Sequence, residues 1–157
     1  MKFQIYNTNL SPDVWDGMIL KKEIRQKLTE IANDFYKQTE LTAPVRDILF
    51  VGSLANYNWS KNSDLDVHLV IDFKNVDSNI ELVEKYVNGL KSDWNNKHDI
   101  HLHGYNVEVY IQNVTKINRS SGVYSLLTGS WITNPKYENF EVDQQLIQLN
   151  VHQDNRN

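Results

Sequence analysis

The sequence contains no cysteine among its 157 residues, which excludes disulfides, thiolate zinc sites and cysteine nucleophiles together and suits a reducing compartment. Positive charge is not in excess either. Sixteen Lys and Arg stand against 20 Asp and Glu, for a formal net charge of -4, so no global basic field draws in nucleic acid irrespective of its sequence. No apolar run approaches the roughly 20 residues of a membrane span, and MKFQIYNTNL lacks the long apolar stretch of a signal peptide. A cytoplasmic protein without a membrane partner is the expectation. Three prolines and six glycines are scattered without forming a linker. A single domain over residues 1–157 follows as the expectation, with apolar residues at 40% and charged residues at 23%, the balance of a globular chain able to bury a core.

Periodicity sets the expected elements. A short strand at Lys2–Tyr6 precedes a turn in NLSPDVWDG. Ile24, Leu28, Ile31 and Phe35 form one stripe, which predicts a helix from about Leu20 to Gln38 with its basic cluster turned to solvent. DILFVGS reads as a buried strand ending at Gly52. In DLDVHLVID, Leu65, Val67, Leu69 and Ile71 share one face of a strand, and Asp64, Asp66 and His68 share the other. Ile80, Val83, Val87, Leu90 and Trp94 predict a second helix over about Asp77 to Trp94. DIHLHG and NVEVYIQN then read as a hairpin turning at Gly104-Tyr105-Asn106, with Val107, Val109 and Ile111 opposite Glu108, Tyr110 and Gln112. SSGVYSLLTGSWITNP reads as a strand or a short helix, and VDQQLIQLN as a short closing helix. The expected class is α/β (α+β): a mixed, mainly antiparallel sheet backed by two helices.

Three carboxylates, Asp64, Asp66 and Glu108, thereby share one surface. Like charges held that close repel unless something positive sits between them. Mg²⁺ or Mn²⁺ suits an all-carboxylate donor set and leaves sites for waters and phosphates, and a pair of such ions suits phosphoryl or nucleotidyl transfer. Phosphates also need donors. Gly52 permits close backbone approach, and if LANY opens a helical turn, its free N–H groups and the Ser53 hydroxyl can face a phosphate. Lys61 in the same loop is a further candidate phosphate contact. Tyr57 and Trp59 offer faces for a base, or else pack back onto the domain.

At these residues the chain resembles the nucleotidyltransferase superfamily typified by DNA polymerase β. The matching features are FVGS, ten residues between Ser53 and Asp64, SDLDVHL, and NVEVYIQ where the family places its third acid. The resemblance covers about residues 45 to 113 and implies a nucleotidyltransferase-like core. It implies that Gly52 and Ser53 hold the β- and γ-phosphates, that Asp64 and Asp66 bind the metals, and that Glu108 completes the site and helps activate the acceptor hydroxyl. The implied reaction moves a nucleoside monophosphate from an NTP to RNA, a protein side chain or a small molecule such as an aminoglycoside, releasing pyrophosphate.

Two departures from the family pattern stand out. Leu54-Ala55-Asn56-Tyr57 occupies the place where small bacterial members often carry a basic residue, and the stretch after Tyr110 is short for the helical domain that larger members add. The expectation is a minimal core of phage or mobile-element type, completed by a homodimer or a protein partner. Two other readings stay open: a non-catalytic, antitoxin-like member of the same fold, and a metal phosphohydrolase using His68, His101 and His103 with the acids. Asp99 and Asp72 compete with Glu108 as the third acid, and Arg119 and Lys136 are cationic candidates without a motif.

Overall fold

Alternation along the strands decides how the layers form. The computed structural model describes residues 6–118 and 121–137. Within them a small hairpin, β1 (Trp15–Asp16) and β2 (Ile19–Leu20), leads into helix α1 (Lys22–Thr39) and strand β3 (Val45–Val51). Strand β4 (Leu65–Ile71), helix α2 (Ile80–Lys97) and strands β5 (His101–Leu102), β6 (Tyr105–Asn113), β7 (Val123–Ser125) and β8 (Ser130–Thr133) follow. The six strands after α1 form one sheet in the order β5-β6-β4-β3-β7-β8. All neighbours are antiparallel except β4 and β6, which α2 joins as a crossover. The chain is therefore a mixed α/β protein with a mainly antiparallel sheet and two helices, as its periodicity predicts.

Both helices cover the same face. Ile24, Leu28 and Phe35 of α1 and Val83, Val87 and Trp94 of α2 pack with Leu65, Val67 and Leu69 of β4 and Val107 and Val109 of β6 in one buried cluster. The Phe35 and Trp94 rings meet at 5.4 Å between the helices. Burying these side chains contributes roughly 1.5–3 kcal/mol apiece relative to exposure, and this layer is the main apolar drive of the fold. The opposite face is left to the acids, with a smaller apolar cluster of Leu49, Val51, Val70 and Val123 beside them.

Element boundaries differ from the periodicity for local reasons. α1 starts after Leu20 because Ile19 and Leu20 are taken by pairing with Trp15 and Asp16. α2 starts at Ile80 because the Asn79 side chain accepts from Leu82 N at 3.2 Å, an N-cap that a stripe of apolar residues does not reveal. The hairpin turns at His103-Gly104, not Gly104-Tyr105-Asn106. Both turn residues have positive φ, 52° and 84°, as the twist of a two-residue hairpin loop demands, so Tyr105 and Asn106 join β6 and His103 leaves the strand. Within the ambiguous SSGVYSLLTGSWITNP, residues 123–133 form the β7–β8 hairpin. The expected strand at Lys2–Tyr6, apart from Tyr6, and the closing helix VDQQLIQLN lie outside the described residues. Among the described residues no helix is long and apolar enough to cross a membrane.

Two side-chain devices tie the fold at its edges. Past residue 106, the edge of β6 away from β4 has no strand beside it among the described residues. The Asn95 side chain of α2 takes that place, donating to Val109 O at 3.1 Å and accepting from Val109 N at 3.3 Å. In the loop after β3, buried Asn56 donates to Gly52 O at 2.6 Å. Its Oδ1 accepts from Gly122 N at 2.7 Å and from the Ser121 hydroxyl. Gly122 fits there because a Cβ would run into the Ala55 carbonyl. Asn56→Ala removes these three hydrogen bonds from a buried position and is expected to lower stability by about 2–4 kcal/mol, measured as a lower urea midpoint with unchanged slope.

Candidate functional site

The parallel pairing of β4 with β6 sets Asp66 directly against Glu108. Asp64 lies two residues before Asp66, so all three acids leave the face that the helices do not cover. One carboxylate oxygen from each lies within 4.8 Å of the others, and all three residues are partly buried. No Lys, Arg or His forms an ion pair with them among the described residues. Glu108 is thus the third carboxylate of the cluster. The competing acids serve elsewhere: Asp72 accepts from Lys74 N at a short turn, and Asp99 stands 3.5 Å from His101.

Neutral and apolar neighbours shape this charge. The Tyr110 hydroxyl donates to Glu108 Oε2 at 2.6 Å, Lys91 Nζ stands 4.4 Å over the Tyr110 ring, and the ring of His68, its partner on β4, lies 4.8 Å away. Burial, then the hydrogen bond to Glu108, raises the Tyr110 phenol, which stays protonated. Asp66 has Val51 as its partner on β3. Burial, followed by the charges of Asp64 and Glu108, pushes its carboxyl up to about 7. Asp64 is raised by burial and then by Glu108, while a hydrogen bond from Asn106 opposes the shift.

Gly52 is required here for two separate reasons. Its φ of 84° lies in the region that side chains disfavour, and a Cβ would collide with the Asp66 carboxylate. The short helical turn expected in LANY is present as a 3-10 turn over Ser53–Ala55. The turn's internal bonds begin at Ala55 N, which donates to Gly52 O at 3.0 Å, so they do not use the N–H groups of Ser53 and Leu54. The Ser53 hydroxyl donates to Ser63 Oγ at 2.7 Å, which also accepts from Ser60 N at 2.9 Å. This links the Gly-Ser end of the loop to the residue before Asp64. Lys61 projects from the same loop, exposed and without an ion pair among the described residues.

The histidines do not gather with the acids. His68 Nδ1 lies 2.7 Å from Gln112 Oε1, which puts its proton on Nδ1. Burial lowers this imidazole and keeps it neutral. His101 faces Asp99, and His103 faces Glu23 at 3.4 Å. Among the described residues the one group of three potential metal ligands is Asp64, Asp66 and Glu108. Lys136 is exposed, and Arg119 lies outside the described residues. Sequence reasoning missed Tyr110, Asn106 and Ser63 as supports. The two-residue parity that singles out Glu108 also carries Tyr110 and Asn106, and could have named them.

Comparison with known proteins gives no match: no family model, no curated protein and no solved structure is similar to the chain.

A carboxyl raised in the folded state favours folding only while it is protonated. The stability Asp66 carries is complete below the unfolded value of 3.8 and is lost as the pH rises through about 7. Without divalent ions, unfolding of the wild-type chain is therefore expected to move to lower temperature as the pH is raised across that window. Asp66→Asn should stabilise the metal-free chain by about 1–3 kcal/mol at about pH 8, with little effect at about pH 4. Thermal unfolding in chelator at both pH values checks this, and equal melting of the two chains at the higher pH would overturn it.

Proposed function

We propose that the chain is a divalent-metal-dependent nucleotidyltransferase with the nucleotidyltransferase-like core that its Gly-Ser and Asp-x-Asp pattern resembles. One observation carries the reading: three carboxylates converge beside a glycine turn, and no basic side chain among the described residues pairs with them. The donor set fits hard cations, because it is all carboxylate oxygen and partly open to solvent, leaving room for water and phosphate ligands. Asp64, Asp66 and Glu108 would hold Mg²⁺ or Mn²⁺. Bound there, the metal would supply neutralisation of the triphosphate charge and a lowered pKa for the acceptor hydroxyl.

The chain's own groups have separate tasks in this reading. Gly52 leaves space for Asp66 while its turn presents the N–H groups of residues 53 and 54 to the β- and γ-phosphates. Lys61 adds charge from the loop, and Ser53, already given to Ser63, contributes mainly by holding that loop against the acids. Tyr110 fixes Glu108 through Oε2, leaving Oε1 open toward the metal, through which Glu108 would help activate the acceptor hydroxyl. The acceptor class is an alcohol of RNA, protein or a small molecule, and the acidic net charge favours the shorter ones.

Incubation with each labelled NTP, Mn²⁺ or Mg²⁺ and a panel of acceptors is expected to give nucleoside monophosphate transfer with pyrophosphate release. Asp66→Asn should reduce it by at least about 100-fold, and transfer that survives this change would sink the proposal. Orthophosphate release dependent on His101 or His103 would favour a phosphohydrolase instead. Tyr110→Phe is expected to weaken Mn²⁺ binding about tenfold, within the range for loss of an outer partner to a ligand, as read by calorimetry; unchanged affinity would remove Tyr110 from the site.

A further inference from the structure

A cavity of about 540 Å³ opens on the flank of the Gly-Ser loop, away from any residue assigned above to metal or phosphate. Its walls come from two stretches of chain. Tyr57 and Trp59 project from the loop between Gly52 and Asp64, and Asn7, Thr8, Trp15 and Met18 come from the segment before α1. The walls are fixed from behind. Asn7 Nδ2 donates to Tyr57 O and Trp59 O at 3.0 and 2.8 Å, Trp59 Nε1 donates to Asn9 O at 2.9 Å, and Trp15 Nε1 donates to Leu54 O at 2.7 Å. The indole N–H groups are thus spent on the scaffold, and Trp15 is buried and stacked on Phe50 and Trp131, so the ring surface left to the cavity is that of the half-buried Tyr57 and Trp59.

Chemistry narrows the occupant. Among the described residues no Lys, Arg, His, Asp or Glu lines the cavity, and the exposed Asp13 and Asp16 stand on the segment that forms one wall, so an anionic group is disfavoured there. Aromatic walls select a planar ring by stacking, and exposed amide and hydroxyl groups of Asn9 and Thr8 at the rim can meet a polar ring edge. Volume and polarity fit an uncharged heteroaromatic ring with hydrogen-bonding edges. We propose that this cavity binds the nucleobase of a substrate nucleotide, between the aromatic loop after Gly-Ser and the segment before α1. The choice of a nucleobase rests on the nucleotidyltransferase reading, whereas the preference for an uncharged planar ring rests on the walls alone. The base can belong to the donor NTP or to a nucleotide acceptor.

The test uses the full chain without metal. Each of the four common nucleosides is titrated in and followed by NMR through the indole N–H signals of the four tryptophans. At least one nucleoside is expected to shift Trp59 saturably, with half-saturation below about 10 mM, while Trp94 in the helix layer stays unmoved and ribose 5-phosphate has no effect. Tyr57→Leu, which keeps apolar volume and removes the ring, should weaken binding about tenfold. Absence of a saturable Trp59 shift in the wild-type chain, or full affinity in a folded Tyr57→Leu chain, would overturn the site. Adding a non-hydrolysable NTP with Mg²⁺ separates the sources. Displacement of the nucleoside assigns the cavity to the donor base, and simultaneous binding assigns it to the acceptor. Nucleoside binding in a chain that transfers no nucleotide would overturn the reaction and leave the cavity's ring specificity standing, whereas transfer with a silent Trp59 would overturn the cavity alone.

Discussion

Mutual repulsion among three carboxylates is the constraint around which this structure is arranged. The parallel register of β4 and β6 puts Asp66 against Glu108, and the parity of the chain adds Asp64. Two unit charges about 4 Å apart repel by about 4 kcal/mol at the effective dielectric of a protein surface, a large fraction of an ordinary domain's stability. The fold tolerates this because the opposite face of the same strands is packed against both helices. Local groups soften the repulsion without cancelling it: Asn106 and Tyr110 hydrogen-bond the acids, and Asp66 holds its proton to an unusually high pH. Stability and the proposed chemistry therefore pull against each other at one residue, as is common where charge is concentrated for function.

The loop between Gly52 and Asp64 reads poorly as sequence because its work is distributed. Its Gly-Ser start and acidic end follow a spacing that can be recognised, but the Asn-rich middle has no periodicity. In three dimensions the loop is held at several points by separate hydrogen bonds. Asn56 reaches the Ser121 hydroxyl and the Gly122 N–H, Tyr57 and Trp59 are bound through their carbonyls to Asn7, and Ser60 and Ser63 close the loop onto Ser53. These partners of Asn56, Tyr57 and Trp59 lie 50 or more residues away in sequence, so no local pattern announces them.

Elsewhere legibility follows the range of the interaction. The helix stripes and the alternation in β4 and β6 are consequences of one buried face, so Leu65 to Ile71 and Val107 to Ile111 could be placed, and with them the carboxylates on the other side. Caps and turns were less visible: Asn79, and the left-handed pair His103 and Gly104, each act through one or two backbone bonds that hydropathy does not register. The β7–β8 hairpin was ambiguous because Tyr124 and Trp131 find their neighbours in Trp15 of the distant first hairpin. Their aromatic packing, more than any local propensity, marks the segment.

Asn95 has a consequence for assembly. By occupying both hydrogen-bonding groups of Val109, a single helix side chain imitates one residue of a missing neighbour strand beside the row that carries Glu108 and Tyr110. An incoming strand would have to break both bonds before pairing there. Unpaired edges invite chains to add end to end, and here that invitation is withdrawn at the margin nearest the acids. Pairing of a further strand against Val109 is thereby opposed, which keeps the row carrying Glu108 and Tyr110 at the margin of the sheet.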